Sequence, residues 1–127
     1  MAIKIVLVED DPLLIDIYST KFKEAGFEVS VVDRGDAAAD RIVQEKPDLV
    51  VLDIVLPQRN GWEILKSVKS NPKTKDIKVV ILSNLGQKEE IEKGMDLGAS
   101  GYLIKAHYTP SQVVKEIRKI LQESQAL

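Results

Sequence analysis

The run Leu49-Val50-Val51-Leu52-Asp53 limits what this chain can fold into more than any other stretch of it. Four apolar residues without polar alternation describe a strand covered on both faces, which is how strands of parallel sheets read. Pro47 precedes the run, and Pro57 and Gly61 follow soon after, so the strand is short and delivers Asp53 to its C-terminal edge. Asp53 thereby becomes the chemical centre, and every other segment can be judged by what it places beside that carboxylate.

The neighbouring segments supply the sheet that such a strand needs. Ile3 to Val8 is a β-branched run that stops at Glu9-Asp10-Asp11, with Pro12 suited to the first turn of a following helix. Leu14, Ile17, Tyr18 and Phe22 recur at helical spacing until Gly26, a C′ residue. Glu28 to Val32 reads as a second strand, and Ala37 to Gln44 as an alanine-rich helix that closes at Lys46-Pro47. Beyond Gly61, Trp62, Ile64, Leu65 and Val68 mark a third helix that gives way to the polar loop Ser70 to Lys75. Ile77 to Leu82 is a fourth strand ending on Ser83-Asn84, and Glu89 to Leu97 a weaker helix with Gly94 inside it and Gly98 as its C′ residue. Tyr102 to Ile104 is the last strand and stops at Lys105. Thr109-Pro110-Ser111-Gln112 has the form of a capping box with proline at N1, opening a terminal helix. Ile91, Met95, Val113, Ile117 and Leu121 are read as helix faces turned mostly to the core.

Five strands alternating with five helices over short connections imply an α/β fold: a doubly wound parallel sheet in the order 2-1-3-4-5, with helices on both faces. A length of 127 residues suits one domain, 1–127, without a second folded unit or output domain. A formal charge of -2 gives no electrostatic reason to expect direct binding to nucleic acid or an anionic membrane. The absence of cysteine excludes disulfides and thiolate chemistry. The apolar N-terminal run is too short for a signal sequence or membrane span, so a cytoplasmic location is expected.

In an open α/β sheet, ligands sit beyond the C-terminal strand ends where strand order reverses, here between the first and third strands. Those strands end on Glu9-Asp10 and on Asp53, and adjacent strands lie only about 4.8 Å apart, so carboxylates crowd together. Two unit charges about 4 Å apart repel by roughly 4 kcal/mol at an effective dielectric of 20. Positive charge has to be supplied. Oxygen ligands without His or Cys suit Mg²⁺ or Mn²⁺, and the fifth strand brings Lys105 to the same rim. The fourth strand adds the Ser83 hydroxyl. A carboxylate nucleophile, a divalent ion, an ammonium and a hydroxyl are the requirements of phosphoryl transfer to aspartate.

Val8-Glu9-Asp10-Asp11, Asp53 to Pro57 with Asn60-Gly61, Leu82-Ser83, Gly98 to Tyr102 and Ile104-Lys105, in that order, resemble the response-regulator (CheY-like) receiver domain of two-component signalling. The resemblance runs from the first strand to the last helix and implies a single-domain receiver of flavodoxin-like fold. It implies that Asp53 is the phosphoacceptor and that Asp10, Asp53 and the backbone carbonyl of Val55 ligate Mg²⁺ (or Mn²⁺), with Glu9 acting through water. Lys105 is then the phosphoryl-binding amine, Ser83 the switch hydroxyl and Tyr102 the switch aromatic. The donor is a histidine kinase or histidine phosphotransfer protein. On phosphorylation the loop after the fourth strand is drawn in, Tyr102 turns inward, and a downstream protein reads the fourth helix, fifth strand and fifth helix. Such a chain catalyses its own phosphorylation and slow dephosphorylation without being a multiple-turnover metabolic enzyme.

Three positions depart from the family pattern. Ala106 replaces the proline that usually follows Lys105 with a cis bond, Ser83 stands where Thr is commoner, and Asn84 where a smaller residue is frequent. The resemblance implies that Val55 and Leu85 flank the approach of a hydrolytic water, which neither side chain can hydrogen-bond, so the acyl phosphate is expected to be long-lived. Asp11 reads as complementing a helix dipole, and His107 as a surface residue that donates no phosphate. Among rival functions, FMN binding would suffer repulsion from Glu9-Asp10-Asp11. A haloacid-dehalogenase-type phosphatase needs an acid where Val55 stands. A pseudo-receiver that only docks proteins is the alternative, opposed by the intact Asp10, Asp53 and Lys105.

Overall fold

Apolar runs and helical periodicities assemble as the sequence predicts. The computed structural model describes residues 2–125, the side chains of 124 and 125 excepted. The strands are β1 (Lys4–Val8), β2 (Glu28–Val32), β3 (Leu49–Leu52), β4 (Lys78–Ser83) and β5 (Gly101–Ile104). They form one parallel sheet in the order β2-β1-β3-β4-β5. The helices are α1 (Pro12–Glu24), α2 (Gly35–Glu45), α3 (Gly61–Ser70), α4 (Lys88–Asp96) and α5 (Pro110–Gln125). Among the described residues no helix is long and apolar enough to cross a membrane.

Because side chains alternate across a strand, the sheet generates two separate cores. Ile5, Leu7, Leu49, Val51, Val80 and Leu82 point to one face and meet Tyr18 and Phe22 of α1 and Val113 and Ile117 of α5. Val6, Val8, Val50, Leu52, Val79 and Ile81 point to the other and meet Ala38 and Ile42 of α2 and Ile64, Leu65 and Val68 of α3. All four residues of β3 are at most 1% exposed, as a central strand covered on both faces requires.

The helix ends carry the expected chemistry. Asp11 is the N-cap of α1, its Oδ1 accepting from the N–H groups of Leu13 and Leu14 at 2.9 and 3.3 Å. Thr109 and Gln112 cap α5 reciprocally, at 2.8 and 3.2 Å. Gly26 and Gly98 take the left-handed C′ position after α1 and α4, with φ of 94° and 103°.

The packing departs from the sequence reading at Met95, read as core and 45% exposed; Ile17, which shares the helical spacing of α1, is 38% exposed. In α4 the position turned to the sheet is Gly94, and Met95, about 100° further round, is rotated into solvent. In α1 the buried stripe is Tyr18 and Phe22, one turn apart, which leaves Ile17 at its margin.

Candidate functional site

The ends of β1, β3, β4 and β5 converge on one edge of the sheet. Asp53 is the first residue beyond β3, and its N–H still donates to the Val8 carbonyl at 3.1 Å, so its backbone is fixed by the neighbouring strand. Behind it α3 begins closely enough that the Gly61 N–H reaches the Ile54 carbonyl at 2.8 Å. A Cβ at Gly61 would overlap the Asp53 carbonyl oxygen and come within 2.6 Å of Ile54 Cα, so glycine is required by proximity.

Lys105, the first residue after β5, is the hub of the charges. Its Nζ donates to Asp53 Oδ2 at 2.7 Å and lies 2.7 Å from Glu9 Oε1. The other Asp53 oxygen accepts from the Ile54 N–H at 2.7 Å. The other Glu9 oxygen accepts from the N–H groups of Asp10 and Asp11 at 3.1 and 3.2 Å. Glu9 is thus a buried carboxylate with both oxygens engaged, whereas the Asp10 side chain is exposed. Oxygens of Glu9, Asp10 and Asp53 all lie within 4.8 Å of one another, a set able to hold a metal ion.

Burial raises the Glu9 carboxyl above its ordinary pKa of 4.5; the bond to Lys105 opposes this, and the nearby Asp53 charge adds to it. Burial alone would lower the Lys105 ammonium, but its bonds to Asp53 and Glu9 outweigh that and carry it above 10.5. Lys105 therefore stays charged between two acids at neutral pH.

Ser83, the last residue of β4, is fully buried, and its Oγ accepts from the Leu85 N–H at 3.3 Å. A cavity of about 290 Å³ is lined by Asp53, Val55, Ser83, Asn84, Leu85 and Lys105. The Val55 side chain is 63% exposed at this opening. Tyr102 lies inward, half-buried, with its hydroxyl donating to the Leu85 carbonyl at 2.5 Å. No peptide among the described residues is cis, so the Lys105–Ala106 bond is trans. His107 is exposed, as read from the sequence.

The residues picked out by strand ends and motifs are therefore gathered at one place. Sequence reasoning missed the Lys105–Glu9 pair and the part played by the Leu85 backbone, whose N–H and carbonyl serve Ser83 and Tyr102 respectively.

Residues 5–118 match the response regulator receiver domain family. This chain belongs to that family. The receiver domain is 31% identical over 121 residues to the DNA-binding dual master transcriptional regulator RpaA of Synechocystis sp., a match covering 95% of this chain and 50% of that protein. It thus spans about half the length of such relatives. The BeF3-activated N-terminal receiver domain of Klebsiella pneumoniae RstA is 32% identical and superposes with a TM-score of 0.85, covering 93% of this chain and 97% of that one. Chemotaxis response regulator CheY4 of Vibrio cholerae, at 23% identity, shares the fold with a TM-score of 0.87 over 94% of this chain and 99% of that one. The receiver architecture expected from the motifs is therefore present, with its sheet order and its helices.

Proposed function

We propose that this receiver domain takes a phosphoryl group from the phosphohistidine of a kinase or phosphotransfer protein onto Asp53 and thereby alters the surface formed by α4, β5 and α5. The observation that carries the reading is the Lys105 ammonium held at 2.7 Å from Asp53 beside an open cavity that also contains Ser83. An Asp53 carboxylate oxygen forms the new bond to phosphorus, the P–N bond breaks, and its electron pair returns to the imidazole nitrogen. Lys105 neutralises one phosphoryl oxygen, and the Ser83 hydroxyl donates to another. The added charge of about -1.5 to -2 is what these groups collect.

The donor set fits a hard divalent cation. Three carboxylates meet one ammonium, a formal excess of two negative charges, and the donors are all oxygen. Asp10 and Asp53, with the Val55 carbonyl, would hold Mg²⁺ or Mn²⁺. Glu9 would act through water. When bound, the ion supplies charge neutralisation at the phosphoryl oxygens.

Incubation with acetyl phosphate and Mg²⁺ tests the reading. Intact mass is expected to show one added phosphoryl group on the wild-type protein and none on Asp53→Asn. A wild-type protein that takes up no label, or a variant that takes up as much, would leave only the docking role of a pseudo-receiver.

A further inference from the structure

The loop that joins β3 to α3, Val55 to Asn60, carries the carbonyl that would reach the cation, and little holds it from within. Val55, Pro57, Gln58 and Asn60 are exposed, and Pro57 has no N–H to give. The backbone bond inside the loop is short-range, from the Arg59 N–H to the Pro57 carbonyl at 2.7 Å, with Gln58 between them at a φ of 66°. Leu56 rests against the core, but an apolar contact has no direction and does not aim a main-chain carbonyl. The loop is therefore aimed by its ends. At one of them the Gly61 N–H closes the neck on the Ile54 carbonyl at 2.8 Å.

Arg59 is the other anchor. It stands outside α3, since Asn60 is the N-cap, yet its guanidinium lies along the first two turns of that helix. Nη2 donates to Ser67 Oγ at 2.5 Å and to the Glu63 carbonyl at 3.4 Å, and Nε lies 3.5 Å from the Glu63 carboxylate. A half-exposed ion pair with Glu63 alone would count for little. The bond to Ser67 is different, because it ties a loop side chain to the body of the helix eight residues on. The Arg59 main chain is in turn backed by α2. A Cβ at the buried Gly35 would overlap the Arg59 carbonyl oxygen and come within 2.9 Å of its carbonyl carbon, so the two backbones meet there. Arg59 is thus held by its main chain against α2 and by its side chain on α3.

Stiffness at a carbonyl ligand matters unequally to different cations. Mg²⁺ demands near-ideal octahedral geometry at about 2.0 to 2.1 Å, whereas Ca²⁺ accepts roughly six to eight oxygens in flexible arrangements at about 2.3 to 2.6 Å. We propose that Arg59 is a positioning residue for the Val55 carbonyl and, by keeping the β3–α3 loop stiff, biases the cation site toward Mg²⁺ over Ca²⁺. This deepens the cation reading given above and rests on it. The guanidinium offers donors only and ligates nothing, so Arg59 acts through the loop.

Calorimetric titration of the parent, Arg59→Met and Ser67→Ala at neutral pH, with Mg²⁺ and separately with Ca²⁺, tests this. Arg59→Met keeps the aliphatic stem and loses the fork, while Ser67→Ala leaves the loop sequence intact and removes its far anchor at a position where alanine is the better helix residue. The Mg²⁺ Kd is expected to rise roughly tenfold in Arg59→Met, the lower end of the usual cost of losing a group that orients a metal ligand, and to rise by less in Ser67→Ala. The Ca²⁺ Kd should stay within about twofold of the parent in both, so that the ratio of the two constants moves. An unmoved Mg²⁺ Kd in both variants would overturn the proposal by showing that the Gly61 neck suffices. An equal weakening for both ions would overturn it by showing that the acids, not the carbonyl, had been disturbed. A parent that binds neither ion would sink the cation reading itself and the proposal with it, and that failure is told apart because it appears before any substitution is made.

Discussion

Val55 and Leu85 bring only hydrocarbon to the mouth of the Asp53 cavity. The Leu85 N–H is committed to Ser83 Oγ, so it has no proton to offer a water molecule. Hydrolysis of an acyl phosphate needs a water aligned opposite the Asp53 oxygen, and an aligned water needs hydrogen-bond partners. A phosphorylated sample is accordingly expected to keep its label for minutes or longer after the donor is removed. Val55→Asn combined with Leu85→Glu should shorten that time by about tenfold or more, within the usual range for one positioned polar group. Intact mass followed over time measures both. Loss of label within seconds from the unaltered protein would show that some other group aligns the water.

The junction of β3 with α3 is the most tightly built element of the site. Alanine at Gly61 would meet the Asp53 carbonyl and Ile54 Cα, backbone atoms that cannot rotate aside. Alanine at Gly86 would meet the Ile104 δ-methyl at 2.9 Å, the end of a flexible side chain. Gly61→Ala is therefore expected to destabilise the fold by about 2 kcal/mol or more, as overpacking does, and Gly86→Ala by less than about 1. Urea denaturation of the two variants decides; equal losses would mean that the junction has slack. This contrast also shows what could be read from the sequence. The β3 run and its terminal carboxylate were legible because four consecutive apolar residues allow few other folds. Met95 was misplaced because periodicity counts side chains, and the residue that α4 turns to the sheet, Gly94, has none. The Lys105–Glu9 pair could not be foreseen because it depends on the reach of two long side chains across β1 and β5, which the sheet order separates by β3 and β4. Leu85 acts through main-chain atoms, which every residue possesses and no motif reveals.

At the scale of the whole molecule, the parallel sheet makes its own electrostatic problem. Carboxylates that are 43 or more positions apart in the chain, Glu9 and Asp10 against Asp53, are brought within 4.8 Å of one another, with a single ammonium between two of them. The unfolded chain does not gather these groups, so a divalent cation that binds them binds the folded state alone. Such a ligand stabilises by RT ln(1 + [L]/Kd), about 2.7 kcal/mol at one hundred times Kd. Lys105 does not blur the measurement at neutral pH. Its folded pKa is raised above 10.5, so the stability it contributes is fully present below the unfolded value and is lost only as pH rises through the folded one. Near pH 7 and constant ionic strength, millimolar Mg²⁺ should therefore raise the thermal midpoint, and chelation should reverse the rise. Asp10→Ala separates this from general screening, because the Asp10 side chain is exposed and its loss should cost little without metal. The variant is expected to melt close to the parent in chelator and to gain little from Mg²⁺. Equal midpoints with and without Mg²⁺ in the parent, or an undiminished gain in Asp10→Ala, would mean that the clustered acids do not hold the cation.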